Sequence, residues 1–191
     1  MKDAWILTFT GRRFYPFSPR SEDVCLEDIA HALSMKCRYQ GHTRWFYSVA
    51  EHSVGVMLGA KQAGAQLPEQ LQALLHDAAE AYLPDVPSPV KPHLNGFKEV
   101  ELRVEDAIAE ALGLLTLHKT PLITEMDERI RIDEAQTLMP NMEGWSLHPN
   151  GGFGYFIRGY DPPRAEMLFL TAYRELQGKL KALGARGVQV Q

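Results

Sequence analysis

The sequence predicts an all-α protein, a bundle of helices with a small β-hairpin at its N-terminal end. Apolar residues recur at helical spacing through most of the chain. The clearest case is the segment 96–112, where one face carries Phe97, Val100, Val104, Ala107, Ile108 and Ala111. Glycine and proline residues fall between these segments, where helices end. Strand-like alternation is confined to residues 5–10.

The elements can be assigned in order along the chain. Residues 5–10 and 12–17 are predicted to form the hairpin, with Gly11 in its turn. Six helices are predicted, over residues 23–38, 46–63, 68–83, 96–112, 121–139 and 163–182. Pro68 suits the first turn of the third helix, and Gly113 suits the residue after the fourth. The length of 191 residues fits one domain spanning residues 1–191.

Composition excludes several classes of function. The formal net charge is −4 and no block of Lys or Arg occurs, so the sequence predicts no nucleic-acid polymer as partner. No apolar run approaches the roughly 18 residues of a membrane span, which predicts no membrane association. The two cysteines form no CxxC pair, which indicates a reducing compartment. We therefore expect a cytoplasmic protein.

The pair His76–Asp77 is the most informative feature, because it lies in an otherwise apolar run. Burying an imidazole and a carboxylate is costly unless a partner or a cation compensates them. His52 lies 24 residues upstream and Asp133 lies 56 residues downstream of Asp77, and each falls on the apolar face of a predicted helix. We therefore predict that His52, His76, Asp77 and Asp133 enclose one divalent metal ion.

The donor set predicts the kind of metal. Imidazole nitrogens together with carboxylate oxygens suit Zn, Co, Mn, Fe or Ni better than Mg alone. Four protein ligands leave room for water or phosphate only around a five- or six-coordinate ion. A closed tetrahedral site would instead be structural.

The arrangement His…His-Asp…Asp, borne on helices, resembles the HD-domain metal-dependent phosphohydrolases. The segment 76–91 is similar to their bacterial 5′-deoxynucleotidase branch, in which an HDxxE run precedes Asp, a Pro-x-Pro turn and Lys. Residues 8–16 and 28–34 resemble a phage-associated subgroup. That subgroup includes the dATP triphosphohydrolases of phages that replace adenine with 2-aminoadenine. The resemblance covers most of residues 5–140 and implies an HD-domain helical bundle.

The resemblance also implies catalytic roles after the His-Asp pair. Glu80 corresponds to the acid/base residue of the family, and Asp85 to a position near the scissile phosphate. Lys91, after the Pro-x-Pro turn, corresponds to a residue that can hold phosphate. The alternatives are that Glu80 is an exposed helix residue, that Asp85 is an ordinary loop residue and that Lys91 is a solvated loop residue.

Further substrate contacts are expected in the segment before the helix of His52. The related nucleotidases carry an arginine near Arg38, with a one-residue difference in spacing, and a guanidinium there would clamp phosphate. His42 and Arg44 are candidates for phosphate contacts, and Trp45 is a candidate for stacking on a base. Core packing is the alternative explanation for Trp45.

The resemblance implies a deoxynucleoside triphosphate triphosphohydrolase that prefers dATP and releases deoxyadenosine and triphosphate. Mg²⁺ would accompany the triphosphate. The alternatives are a 5′-deoxynucleotidase acting on monophosphates, a non-catalytic metal-dependent nucleotide sensor, and a purely structural metal site. Related proteins form dimers or larger rings, so a homo-oligomer is expected, in the host cytoplasm if a phage encodes the protein.

Overall fold

The computed structural model describes residues 4–145 and 147–187. Within these residues the protein is mostly helical and carries one small antiparallel hairpin, as the sequence predicts. The six helices are α1 (Leu26–Met35), α2 (Val49–Gln62), α3 (Leu67–Leu75), α4 (Phe97–Leu112), α5 (Pro121–Leu138) and α6 (Pro162–Gly187). None of the helices in the described ranges is long and apolar enough to cross a membrane.

The hairpin is shorter than the alternating sequence pattern suggests. Strand β1 (Ile6–Leu7) pairs antiparallel with β2 (Arg13–Phe14), and Ile6 lies opposite Phe14. Its turn is tied to α1, because the Asp28 carboxylate accepts bonds from the Thr10 N–H at 2.7 Å and the Thr10 hydroxyl at 2.8 Å. These two bonds attach an otherwise marginal two-stranded hairpin to the helical bundle.

Helix α2 lies at the centre of the bundle and packs against α1, α3, α5 and α6. Two glycines allow this close packing. A Cβ atom at Gly55 would lie 2.3 Å from Ile130 Cδ1 of α5, and one at Gly59 would lie 2.8 Å from the Phe153 ring. The centre of the bundle is apolar and closed to solvent, with Ile29, Leu33, Val56, Leu74, Ile108, Ile123, Ile130 and Phe169 fully buried.

Side-chain caps set the starts of the two helices that matter most for the site. The Ser48 hydroxyl accepts the Glu51 N–H at the start of α2, three residues later than predicted. Thr120 caps α5 in the same way through the Ile123 N–H, and Pro121 follows it in the first turn.

The third helix ends earlier than the sequence predicts. It stops at Leu75, and after His76 and Asp77 the chain tightens into a 3₁₀ turn over Ala78–Ala81. The predicted extent of this helix, residues 68–83, is therefore wrong, and His76 and Glu80 do not lie on one face of an α-helix. The Lys36 ammonium donates to the backbone carbonyls of Glu80 and, at 2.7 Å, Leu83, which holds this turn in place.

Two buried carboxylates organise the loop that leads to α6. Asp133 accepts the backbone N–H groups of residues 153, 154 and 155 at 3.0–3.3 Å. Glu51 accepts those of residues 158, 159 and 160 at 2.8–3.2 Å. These six bonds satisfy backbone donors that no helix or strand pairs, and they fix the loop against α2 and α5.

Replacing Gly55 by alanine should destabilise the protein by about 1–3 kcal/mol, because the new methyl group would overlap Ile130 and the Tyr155 ring. The matched control is Gly178→Ala in α6, where nothing lies within 4 Å of the added carbon. There the higher helix propensity of alanine should stabilise by about 0.5–1 kcal/mol. Urea unfolding of both variants measures the difference, and equal effects would contradict the close packing of α2.

Candidate metal centre

Four side chains from three parts of the chain meet beside the bundle core. They are His52 of α2, His76 and Asp77 after α3, and Asp127 of α5. His52 Nε2 lies 3.3 Å from His76 Nε2 and 3.3 Å from an Asp127 oxygen. His76 Nε2 lies 3.1 Å from Asp77 Oδ2. The ligand atoms of His52, His76 and Asp127 all lie within 4.8 Å of one another, so this group could hold a metal ion.

The spacing of the two imidazoles fits one shared ion. Metal–nitrogen bonds of about 2.1 Å that meet at about 105° place two nitrogens about 3.3 Å apart. That separation is the one observed between His52 Nε2 and His76 Nε2. Two imidazoles with two carboxylates form a donor set suited to divalent transition metals.

Both imidazoles are held so that Nε2 points toward the centre. His76 Nδ1 donates to the Ala73 carbonyl at 2.8 Å, and His52 Nδ1 bonds to Glu134 Oε1 at 2.6 Å. Hydrogen bonds of this kind fix the tautomer and the orientation of metal-binding histidines. Glu134 is fully buried, and burial raises the pKa of its carboxyl. The charges of Arg38 and His52 outweigh burial and lower that pKa to about 2.

Lys119, from the segment before α5, neutralises the two aspartates. Its ammonium lies 2.5 Å from Asp127 Oδ2 and 3.4 Å from Asp77 Oδ1. Burial raises the pKa of both carboxyls, but the two histidines and Lys119 hold each pKa well below its usual value. Both aspartates are therefore ionised at neutral pH, as metal ligands must be.

Asp133 does not join this group, which corrects the sequence prediction. Its carboxylate accepts the backbone N–H groups of the loop at residues 153–155 instead. Asp133 lies six positions after Asp127 on α5, which is roughly 240° around a helix. The two aspartates therefore face different neighbours, and Asp127 occupies the position predicted for Asp133.

A cavity of about 520 Å³ opens beside the four ligands, within the usual size range of small-molecule sites. It is lined by four of the residues predicted for catalysis or substrate binding, namely Arg38, Glu80, Asp85 and Lys91. His42, Arg44 and Trp45 are exposed and are absent from its lining. Trp45 instead packs against Gly159, where a Cβ atom would lie 2.5 Å from the indole ring.

Glu80 reaches this cavity in an unusual protonation state. The residue is only 8% exposed, and its Oε2 atom is buried without a hydrogen-bond partner. Burial, followed by the charges of Asp77 and Asp85, raises the pKa of Glu80 to about 8. Glu80 therefore holds a proton at neutral pH in the protein as described, which is suitable for an acid/base residue.

A strained segment also lines the cavity. Tyr39 and Gln40 have left-handed φ values of 55° and 54°, which side chains other than glycine rarely adopt. The Tyr39 hydroxyl donates to Glu134, and the Gln40 amide donates to the Asp85 carbonyl at 2.7 Å. Strain of this kind persists where several surrounding contacts hold the backbone in place, often at functional sites. Trp145 lies beside Tyr39, with ring centroids 6.1 Å apart.

Several residues of this site were not predicted from the sequence, among them Lys119, Asp127, Arg131, Glu134 and Trp145. A signal was available for Asp127, Arg131 and Glu134, because they follow helical spacing of four and three residues on α5. A polar stripe at this spacing predicts one face turned toward a polar neighbour. Lys119 and Trp145 lie outside helices, and the sequence pattern gives no signal for them.

Comparisons with known proteins give relatives without an assigned function. The chain is 37% identical over 121 residues to the uncharacterized protein YfdR of Escherichia coli, a match that covers 62% of this chain and 64% of the relative. It is 38% identical over 127 residues to the uncharacterized protein RCAP_rcc00048 of Rhodobacter capsulatus, covering 64% and 65%. The chain thus spans less than two thirds of the length of each relative. No protein-family model matches it.

Proposed function

We propose that this protein is an HD-domain metal-dependent phosphohydrolase of deoxynucleotides, with deoxynucleoside triphosphates, and dATP in particular, as substrates. One observation carries the proposal. Two imidazoles and two ionised carboxylates converge at metal-ligand spacing, beside a buried glutamate that opens onto a cavity whose lining includes four cations. We further propose that the protein is a cytoplasmic homo-oligomer, because its sequence resembles the HD-domain phosphohydrolases.

The choice of a nucleotide substrate follows from the chemistry of the cavity. Arg38, Lys91, Lys119 and Arg131 line it, and cations are the side chains that recognise phosphate groups. Tyr39 and Trp145 add aromatic surface on which a base can rest. The preference for dATP rests on the similarity of residues 8–16 and 28–34 to the phage subgroup.

The chain's own groups would act as follows. His52, His76, Asp77 and Asp127 would hold a divalent cation, which when bound supplies Lewis-acid polarisation of a phosphoryl oxygen and acidifies water. Glu80 would transfer the proton between the attacking water and the 5′-oxygen that leaves the α-phosphorus. Arg38 and Lys91 would stabilise charge that develops on the phosphoryl oxygens. The products would be a deoxynucleoside and triphosphate.

The direct test is product analysis of purified protein with a panel of dNTPs, NTPs and dNMPs in Co²⁺, Mn²⁺, Zn²⁺ or Mg²⁺. Release of deoxyadenosine and intact triphosphate from dATP is the expected result. Turnover of monophosphates alone would assign the protein to the nucleotidases. No turnover of any nucleotide, with metal bound, would favour the nucleotide sensor and contradict the proposal.

Replacing Glu80 by glutamine should reduce kcat by about 100-fold or more, because the amide cannot transfer a proton. Nucleotide affinity and metal content should change little, since glutamine keeps the size of the side chain. Steady-state kinetics and calorimetric nucleotide titration on the same preparation separate the two effects. A Glu80→Gln protein with full turnover would exclude the acid/base role.

The pair Asp127→Asn and Asp133→Asn distinguishes the metal ligand from the loop anchor. Asp127→Asn should weaken metal binding by about 100-fold or more, because it removes a charged donor from the centre. Asp133→Asn should retain one metal ion per chain but lose about 1.5–3 kcal/mol of stability through weaker bonds to the loop. Metal analysis after dialysis and thermal unfolding give both readouts, and the reverse pattern would restore Asp133 as the ligand.

A further inference from the structure

Arg131 differs from the other cations that line the cavity. Lys91 pairs with Glu101 at 3.0 Å, Lys119 bridges the two metal-binding aspartates, and Arg38 pairs with Glu134 at 3.2 Å. In the part of the chain that the structure describes, Arg131 belongs to no ion pair, and its Nε atom is buried without a hydrogen-bond partner. Among the four cations that line the cavity, Arg131 is therefore the one that pairs with no carboxylate of the described residues.

The Arg131 Nε atom is closed to solvent, so an acceptor in the cavity would meet the terminal nitrogens of the guanidinium. No carboxylate of the described residues pairs with these nitrogens. Guanidinium groups bind the oxygens of phosphates through two parallel hydrogen bonds, and such charge-assisted bonds are roughly twice as strong as those to neutral acceptors. A phosphate group therefore fits Arg131 better than the neutral atoms of a base or sugar.

The position of Arg131 indicates which phosphate it would meet. It lies four residues after Asp127 on α5, one helical turn and about 6 Å along the axis from this metal ligand. The reacting phosphate must lie next to the four ligands and Glu80. A guanidinium one turn farther along the same wall is placed for a phosphate group beyond the reacting one.

We propose that Arg131 is a specificity-determining residue that binds the phosphate tail beyond the reacting phosphate, so that the site selects deoxynucleoside triphosphates over monophosphates. This inference rests on the proposed function, because it assumes that a nucleotide occupies the cavity. The engaged state of the other three cations supports it, since a triphosphate brings more negative charge than those paired groups can balance.

The test measures binding in the Glu80→Gln background, where turnover does not interfere. Dissociation constants for dATP and dAMP are determined by calorimetry with Mn²⁺ present, with and without Arg131→Met. The parent should bind dATP more tightly than dAMP. Arg131→Met should weaken dATP binding about 10- to 100-fold, the loss expected for hydrogen bonds to a charged group, and dAMP binding less than about threefold.

Two further variants keep the test specific. Arg131→Lys retains the charge but not the two-pronged geometry, and should fall between the parent and Arg131→Met for dATP alone. Arg103→Met removes one exposed arginine on α4, outside this cavity, and should leave both affinities unchanged. Thermal unfolding and metal content verify that each variant is folded.

The outcomes separate this inference from the proposed function. Equal losses for dATP and dAMP, an unchanged dATP affinity, or a parent that binds both nucleotides equally would overturn the role of Arg131. Failure of the unmodified protein to hydrolyse any nucleotide would instead overturn the proposed hydrolase. A selective loss of dATP affinity would support the role of Arg131 even in that case.

Discussion

The buried carboxylate of Glu134 is the interaction on which the rest of the site depends. It joins His52 of the central helix, Arg38, and the hydroxyl of the strained Tyr39. A fully buried carboxylate is stable only with such partners, and Arg38 and His52 together keep it ionised. One group on α5 thus orients an imidazole of the candidate metal centre, holds a guanidinium at the cavity and fixes an unfavourable backbone conformation. Glu134 therefore links the packing of α5 on α2 to the geometry of the site.

Two other buried carboxylates have structural roles, although their chemistry is that of metal ligands. Glu51 and Asp133 each accept three backbone N–H groups from the loop between α5 and α6. Residues 153–160 of this loop need such acceptors because they are partly buried and form no regular secondary structure. Residue type alone therefore does not distinguish a candidate metal ligand from a carboxylate that binds backbone N–H groups. The distinction depends on the neighbours of each carboxylate.

Much of the fold follows from local sequence signals, and the errors have physical causes. The helices were predictable because apolar periodicity, the glycine and proline residues between helices and the Pro68 start agree with one another. The early end of α3 was not, because Lys36 from another part of the chain stabilises the 3₁₀ turn after Asp77. His52, His76 and Asp77 could be selected from their polar character in apolar surroundings. Asp127 could not be separated from Asp133 in this way, since α5 carries buried groups on several sides.

The two histidines differ in how their orientation is secured, and this difference has an evolutionary consequence. His76 bonds to the backbone carbonyl of residue 73, a group that every amino acid possesses. His52 bonds to the side chain of Glu134. Drift at position 73 is therefore limited only by the volume available there. Position 134 must keep a carboxylate of one length. A shorter or neutral side chain would lose the hydrogen bond to His52 and leave the Arg38 guanidinium without its buried partner. The orientation of His52 thus depends on which amino acid occupies position 134. The orientation of His76 depends only on the backbone of α3.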